Sequence, residues 1–327
     1  MDVQSEDITQ GRNDDTFEKA PRRKSGRVWI AIVAVLVLAL IGAAVYLGLQ
    51  QMGRQRAAES DLDEAVTILT GVEDAVIAVD EVVQAEIVPG LEATATAALD
   101  MLPQARKDLA EAIELLTGAR VDLREDDQVL AQALQTAAEA RSDMLQEAEP
   151  ILSANKAAAE ALQLSTDAWA LVAEAEKLSQ DAVAQYNKHT KDSVTQSTEF
   201  SKQAVQKLTT ARSAMATATV AFPDAKLQQF VDYIDARQKL LESSMSIDAT
   251  WLAGKLEEAN GMLAAYATQE TALIEQGKTL PASPSIAIAD AYEALAAEAT
   301  DRYFMARDRA RAADDRVREL ETTPTGE

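Results

Sequence analysis

An uncharged apolar run near the start of the chain constrains the fold more than any other feature. Residues 28–49 make up 22 positions without a single Asp, Glu, Lys, Arg or His. As an α-helix rising about 1.5 Å per residue, this run would be about 33 Å long, which matches a hydrocarbon core about 30 Å thick. The sequence therefore predicts one transmembrane helix, with a short segment before it and a long one after it.

Basic residues beside the run predict its orientation. Five precede it with no acid among them: Lys19, Arg22, Arg23, Lys24 and Arg27. On the other side only Arg54 and Arg56 come before Asp61. Because loops rich in Lys and Arg stay in the cytoplasm, we expect a cytoplasmic N-terminus and an extracytoplasmic C-terminal domain. A cleaved signal peptide is the alternative, but its apolar region is typically about 7 to 15 residues, so we expect an uncleaved signal-anchor with a single span in the cell membrane.

The acidic composition limits the partners that the chain can bind. The formal net charge is −23, and residues 1–27 contain six basic and six acidic side chains, so the excess lies beyond the predicted membrane span. Such a charge argues against nucleic acid or an anionic lipid surface as partner, because phosphate groups need a basic binding surface. A basic partner or a diffuse cloud of divalent cations fits better, although a charged surface can also serve solubility alone. The chain has no cysteine, which excludes disulfides and a lipidated cysteine.

Helical periodicity continues through most of the remaining chain. Residues 1–27 are polar and aperiodic, which predicts a disordered cytoplasmic tail, and residues 321–327 predict a disordered C-terminus. Across an extracytoplasmic α-helical domain, residues 50–320, apolar residues recur in steps of three and four, and no stretch alternates with period two as a strand requires. We expect an all-α fold, a single N-terminal transmembrane helix followed by an elongated antiparallel array of about seven or eight helices.

Capping and breaking signals predict where these helices begin and end. Ser60 resembles an N-cap, and Pro150 should end a helix. The polar stretch 187–192 predicts a turn and a candidate internal boundary of the domain. A coiled-coil-like heptad seam follows it: Val194, Ser197, Ser201, Ala204, Leu208, Ala211, Met215, Ala218 and Phe222. This seam could close within one chain or between chains, so the sequence leaves the oligomeric state open.

Residue types that support catalysis are scarce. His189 is the only histidine, it lies in the polar stretch, and no Gly-x-Ser-x-Gly elbow occurs. Carboxylate pairs such as Asp61 with Asp63 lack the glycine-containing loop of a calcium site. We therefore expect no enzymatic activity, no catalytic residues, no cofactor and no metal site.

A hydroxyl-rich stretch at 190–201 is the least ordinary feature of the predicted domain. It could line a polar cleft, form a ladder of interhelical hydrogen bonds, or be a membrane-distal tip. For the cleft, the candidate ligand-binding residues are Trp169, His189, Thr190 and Ser193. We expect a membrane-anchored extracytoplasmic helical scaffold or protein-interaction protein that binds another envelope protein. The alternative is an extracytoplasmic small-ligand-binding or sensing module.

Overall fold

The predicted all-α fold is confirmed in the part of the chain that the structure describes. The computed structural model describes the backbone of residues 26–322 and the side chains of residues 50–320 and 322. All regular elements in this part are helical: α1 (Gly26–Val83), α2 (Leu91–Ala119), α3 (Glu125–Tyr186), α4 (Lys191–Ala221), α5 (Gln228–Leu252), α6 (Leu256–Thr279) and α7 (Pro284–Thr322). A short 3-10 helix, Pro223–Ala225, precedes α5.

The predicted helix count was wrong. Six α-helices follow α1 in the described chain, fewer than the seven or eight expected. Pro150 lies inside α3 instead of ending it, because its ring faces solvent while Ile151 and Leu152 continue the buried face. α1 likewise runs through Ser60 without starting there. Packing of a long apolar face outweighs a local breaker signal, since tertiary contacts supply most helical stability.

The predicted membrane span falls within α1. Residues 28–49 are helical, but their side chains lie outside the described residues, as do residues 1–25 of the predicted tail and residues 323–327. Among the residues whose side chains the structure describes, none of the helices combines the length and apolar character needed to cross a bilayer.

The chain divides into two units, Met1–Arg56 and Ala57–Glu327. We call the described part of the second unit, residues 57–322, the helical body. Its central element is α3, which packs against α2, α4 and α7. α7 is antiparallel to α3, because Arg141 of α3 pairs with Asp314 while the later Glu147 pairs with the earlier Arg302.

Two hydrophobic cores lie along α3. The first core joins α1, α2, the N-terminal half of α3 and the second half of α7, and the second core joins the rest of α3 with α4, α5 and the start of α7. All nine residues of the heptad seam are buried, eight of them on α4 and Phe222 directly after it. The six from Ala204 to Phe222 belong to the second core. Many buried side chains are alanine, so helix backbones approach closely and stability depends on many small contacts.

Asn155 connects the two cores. Its side chain is 0 % exposed, and its amide Nδ2 donates to the carbonyl oxygen of Val82 at 2.9 Å. Its Oδ1 accepts a hydrogen bond from the Tyr292 hydroxyl at 2.6 Å. One buried amide therefore links α1, α3 and α7.

The candidate boundary at 187–192 corresponds to the tight turn between α3 and α4 and the first residues of α4.

Candidate functional site

Polar side chains replace apolar ones where α4 packs against α5. Asp248 follows Ile234 and Leu241 on α5 at intervals of seven, and all three side chains are buried. Ser197 and Ser201 occupy positions of the α4 seam and are 1 % and 0 % exposed. Because a seven-residue interval keeps side chains on one helix face, these polar groups lie where a continuous core would have apolar residues.

A cavity of about 370 Å³ opens beside these polar groups, between α3, α4, α5 and α6. We call it the Asp248 cavity. Its walls include apolar Val183, Ile247 and Leu263 and the two aromatic rings of Tyr186 and Tyr266. Asp248, Ser197 and Glu270 add polar groups to this lining. Asn187, His189 and Ser244 complete the lining, so apolar and polar side chains contribute in similar numbers. A concave wall that combines apolar surface with convergent polar groups is typical of a small-molecule site.

The carboxylate of Asp248 is only 1 % exposed. It accepts one hydrogen bond, from Thr198 Oγ1 to its Oδ2 at 3.1 Å. Burial raises the pKa of Asp248, and the nearby hydroxyls of Ser197 and Thr198 partly oppose that rise. No lysine or arginine lines the cavity as the structure describes it. The charge of Asp248 is therefore desolvated without a cation beside it, which is costly for a folded protein.

Two serine hydroxyls near this carboxylate have unused hydrogen-bonding capacity. Ser197 Oγ and Ser201 Oγ are buried and make no hydrogen bond among the described residues. Ser197 Oγ lies near enough to Asp248 to lower its pKa but not in hydrogen-bonding geometry. Hydroxyls on the exposed side of α4 behave differently, since Thr195 and Thr209 each donate to the carbonyl four residues earlier. Buried polar groups are normally paired, so an unpaired hydroxyl in a cavity wall indicates an available ligand contact.

His189 is the one predicted ligand-binding residue that lines the Asp248 cavity. It has a left-handed backbone, φ 52°, in the turn that ends α3, and its Nδ1 lies 3.2 Å from the carbonyl oxygen of Tyr186. Trp169 lies elsewhere, packed edge-on against Phe230 with ring centroids 5.2 Å apart. The structure therefore does not bring Trp169 and His189 into one pocket.

Thr190 and Ser193 form the N-terminal cap of α4. The Thr190 hydroxyl accepts from the Ser193 backbone N–H at 3.2 Å, and the Ser193 hydroxyl accepts from the Thr190 backbone N–H at 3.1 Å. This reciprocal capping box satisfies amide groups that the first turn of a helix leaves free. Neither side chain lines the Asp248 cavity. The hydroxyl-rich stretch thus combines a helix cap with one cleft-lining residue, Ser197.

Sequence reasoning missed Asp248, Tyr186, Tyr266 and Glu270. For Asp248 a signal was present, because it continues the seven-residue series of Ile234 and Leu241 on the buried face of α5. The other three lie at exposed or half-buried positions, and only the approach of α6 to α3 brings them to one cavity.

Three residue types that can form a serine relay line the cavity, but they are not arranged as one in the described structure. Ser197, His189 and Asp248 all line it, yet no hydrogen bond joins the imidazole to either of the other two in the described structure. A serine relay needs both of those hydrogen bonds. Within the described residues, no group of three or more His, Asp or Glu side chains is arranged to hold a metal ion.

A second cavity of about 390 Å³ adjoins the first and shares Val183 and Glu270 with it. Its main polar residue is buried Arg237, whose Nη2 donates to Glu176 Oε2 at 2.5 Å and to Ser179 Oγ at 3.1 Å. This cation already has its own carboxylate, so it does not compensate Asp248.

The outer surface of α1 and α2 is strongly acidic. Residues 57–83 contain eight acids and no basic residue, and α2 has five acids against Arg106 and Lys107. Ten exposed carboxylates of this hairpin form no ion pair in the part of the chain with described side chains: Asp63, Glu64, Glu73, Asp74, Glu81, Glu86, Glu92, Asp100, Glu111 and Glu114. We call these ten residues the acidic hairpin surface.

Comparison with known proteins provides no family assignment. No protein-family model matches the chain, and the search finds neither a similar curated protein nor a similar solved structure.

Proposed function

We propose that the chain is a single-pass membrane protein whose extracytoplasmic helical body is a non-catalytic scaffold for a basic protein of the envelope. Residues 28–49 are the signal-anchor, with the N-terminus in the cytoplasm. The acidic hairpin surface is the observation that carries the interaction, because its ten exposed carboxylates form no ion pair with any side chain that the structure describes. A surface rich in Lys and Arg would complement them and speed association, whereas nucleic acid would be repelled.

The arrangement of α3 supports a scaffold role. This helix of 62 residues contributes to both cores, so the elements packed on it are held to one common support. Preformed surfaces of this kind bind without a large ordering cost.

Cysteine labelling tests the membrane topology cleanly, because the chain has no cysteine of its own. We expect a membrane-impermeant maleimide to label Ser246→Cys in intact cells and to label Ser5→Cys only after lysis. Ser246 is exposed in the helical body, and Ser5 lies in the segment before residue 28. Equal labelling of both variants in intact cells, or labelling of Ser5→Cys alone, would refute the proposed orientation.

Site-specific photo-crosslinking tests the docking surface. A photoreactive residue in place of exposed Thr67 on α1 should give a discrete adduct with a protein of basic surface, identified by mass spectrometry. Neutralising three hairpin carboxylates (Glu73→Gln, Asp74→Asn and Glu81→Gln) should reduce that adduct several-fold. A control with the same charge change at exposed sites elsewhere uses Asp181→Asn, Asp290→Asn and Glu293→Gln and should retain it. Equal loss in both triple variants would show that net charge, and not this surface, matters.

A further inference from the structure

We propose that the Asp248 cavity binds a small organic cation, an aliphatic amine in its protonated form. This ligand-binding role goes beyond the anchoring and docking role proposed above, since it uses α3 to α6 and not the acidic hairpin surface. It rests on the charge of the cavity, on an unpaired hydroxyl in its wall and on its size.

The charge of the cavity calls for a cation. Asp248 is fully enclosed by the fold, and Glu270 of α6 adds a second carboxylate to the same lining. Arg237, the nearest buried guanidinium along α5, is paired with Glu176 in the neighbouring cavity. A bound ammonium group would supply the missing counter-charge, and pairing is what makes a buried charge tolerable.

The hydrogen-bonding groups of the cavity favour a protonated amine over a cation that has no N–H donors. An ammonium group has three N–H donors. Thr198 occupies only one acceptor site on the Asp248 carboxylate. Ser197 Oγ, in a side chain 1 % exposed, accepts no hydrogen bond within the described residues and lines the same cavity. Carboxylate and hydroxyl together can accept two of the three N–H donors.

The size and walls of the cavity exclude a bare metal ion and fit a short carbon chain. A calcium ion needs about six to eight oxygen ligands within about 2.6 Å, far more than the described carboxylates can provide. A volume of about 370 Å³ instead suits a molecule of several non-hydrogen atoms. Val183, Ile247 and Leu263 would contact its methylene groups, and the rings of Tyr186 and Tyr266 can face its charge.

Titration calorimetry on the full chain, purified in detergent at pH 7, tests this inference. The probes are n-butylamine and 1,4-diaminobutane, with n-butanol as the neutral analogue and butyrate as the anionic one. We expect saturable binding of at least one amine at one site per chain, and no binding of butanol or butyrate. Absence of saturable binding for both amines would overturn the proposal.

Two substitutions and a matched control locate the site. Asp248→Asn keeps the shape of the side chain and should weaken amine binding at least tenfold. Ser197→Ala should weaken it several-fold, because it removes one acceptor. Asp232→Asn makes the same chemical change at an exposed position on the same helix and should leave affinity unchanged. Circular dichroism melting would verify that each variant is folded. Equal affinities for Asp248→Asn and Asp232→Asn would place the amine elsewhere and overturn the assignment.

Discussion

Asp248 places a carboxylate at a core position of α5. Seven residues earlier, Leu241 occupies the equivalent position on the same helix. Burial raises the pKa of this carboxyl group, so the folded protein binds its proton more tightly than the unfolded chain does. The corresponding stabilisation is complete below the unfolded pKa, about 3.9, and is lost as pH rises through the higher folded pKa. Above the folded pKa the ionised group is therefore a net cost to stability.

The substitution Asp248→Asn should consequently raise Tm at pH 7, by about 2 °C or more. The neutral amide can still accept the hydrogen bond from Thr198 and needs no counter-ion. Differential scanning calorimetry at pH 7 and near pH 4 would measure the change, and the advantage should shrink at the lower pH. A Tm at pH 7 equal to or below that of the parent would contradict the desolvation argument.

Tyr303 makes the opposite kind of buried polar contact, one that is fully paired. Its hydroxyl donates to Asp80 Oδ1 at 2.7 Å, and Arg307 Nη2 donates to the other carboxylate oxygen at 2.6 Å. Burial and the hydrogen bond to Asp80 both raise the pKa of Tyr303, so it remains a donor at neutral pH. The contact links α7 to α1 inside the first core.

Replacing Tyr303 with Phe should lower the free energy of unfolding by about 1 to 2 kcal/mol, because a hydrogen bond to a charged group is lost. Urea denaturation followed by circular dichroism would measure this change. Tyr266→Phe is the comparison, since the Tyr266 hydroxyl makes no hydrogen bond among the described residues and its removal should change stability little. A similar effect in the two variants would indicate a general response to hydroxyl loss.

Among the elements, α3 departs most from expectation because it continues through Pro150. A proline inside a helix removes one backbone hydrogen bond and crowds the preceding turn, at a cost of about 3 kcal/mol. The exposed ring of Pro150 gains no packing in return. The helix persists because residues on both sides of it bury their side chains in the first core.

Pro150→Ala should therefore increase the free energy of unfolding by about 1 to 3 kcal/mol, measured by urea denaturation. Pro223→Ala is the control, because that exposed proline occupies the first turn of a short helix, where proline is well tolerated. A stabilisation of equal size at both sites, or none at Pro150, would argue against strain within α3.

Sequence periodicity was sufficient to predict an all-α fold but not the number of helices or how they pack. Leu62 and Leu69 recur on one face and are buried, as the spacing predicts. The signal at Pro150 was misleading because the compensating contacts come from α1, α2 and α7, which are distant in sequence. The site was harder to predict. His189 drew attention as the only histidine, whereas the burial of Asp248 depends on α4 packing beside it.

For the whole molecule, electrostatic self-repulsion is the dominant long-range effect. The net charge is −23, and the acidic hairpin surface concentrates unpaired carboxylates on two adjacent helices. Raising sodium chloride from about 10 mM to about 1 M shortens the Debye length from about 30 Å to about 3 Å. Repulsion between these carboxylates is then screened.

We accordingly expect Tm to rise by several degrees over this range of sodium chloride. The triple variant Glu73→Gln, Asp74→Asn and Glu81→Gln should melt higher at low salt and should respond less to salt than the parent. Thermal melts at matched protein concentration would measure both effects. A parent Tm that falls or stays constant with salt would mean that ion pairs outweigh the unpaired carboxylates.

The contact between Tyr303 and Asp80 also determines the order in which the chain can fold. These residues are 223 positions apart, and Glu147 and Arg302 are 155 apart, so the first core closes only after α7 has been synthesised. Contacts among α3, α4 and α5 are more local, such as that between Thr198 and Asp248, 50 positions apart, although the second core also includes Ala287 and Ile288 of α7. Because long loops close slowly, the part of the second core formed by α3, α4 and α5 should assemble first on a growing chain. The helices that leave the ribosome first are thus the last to complete their packing.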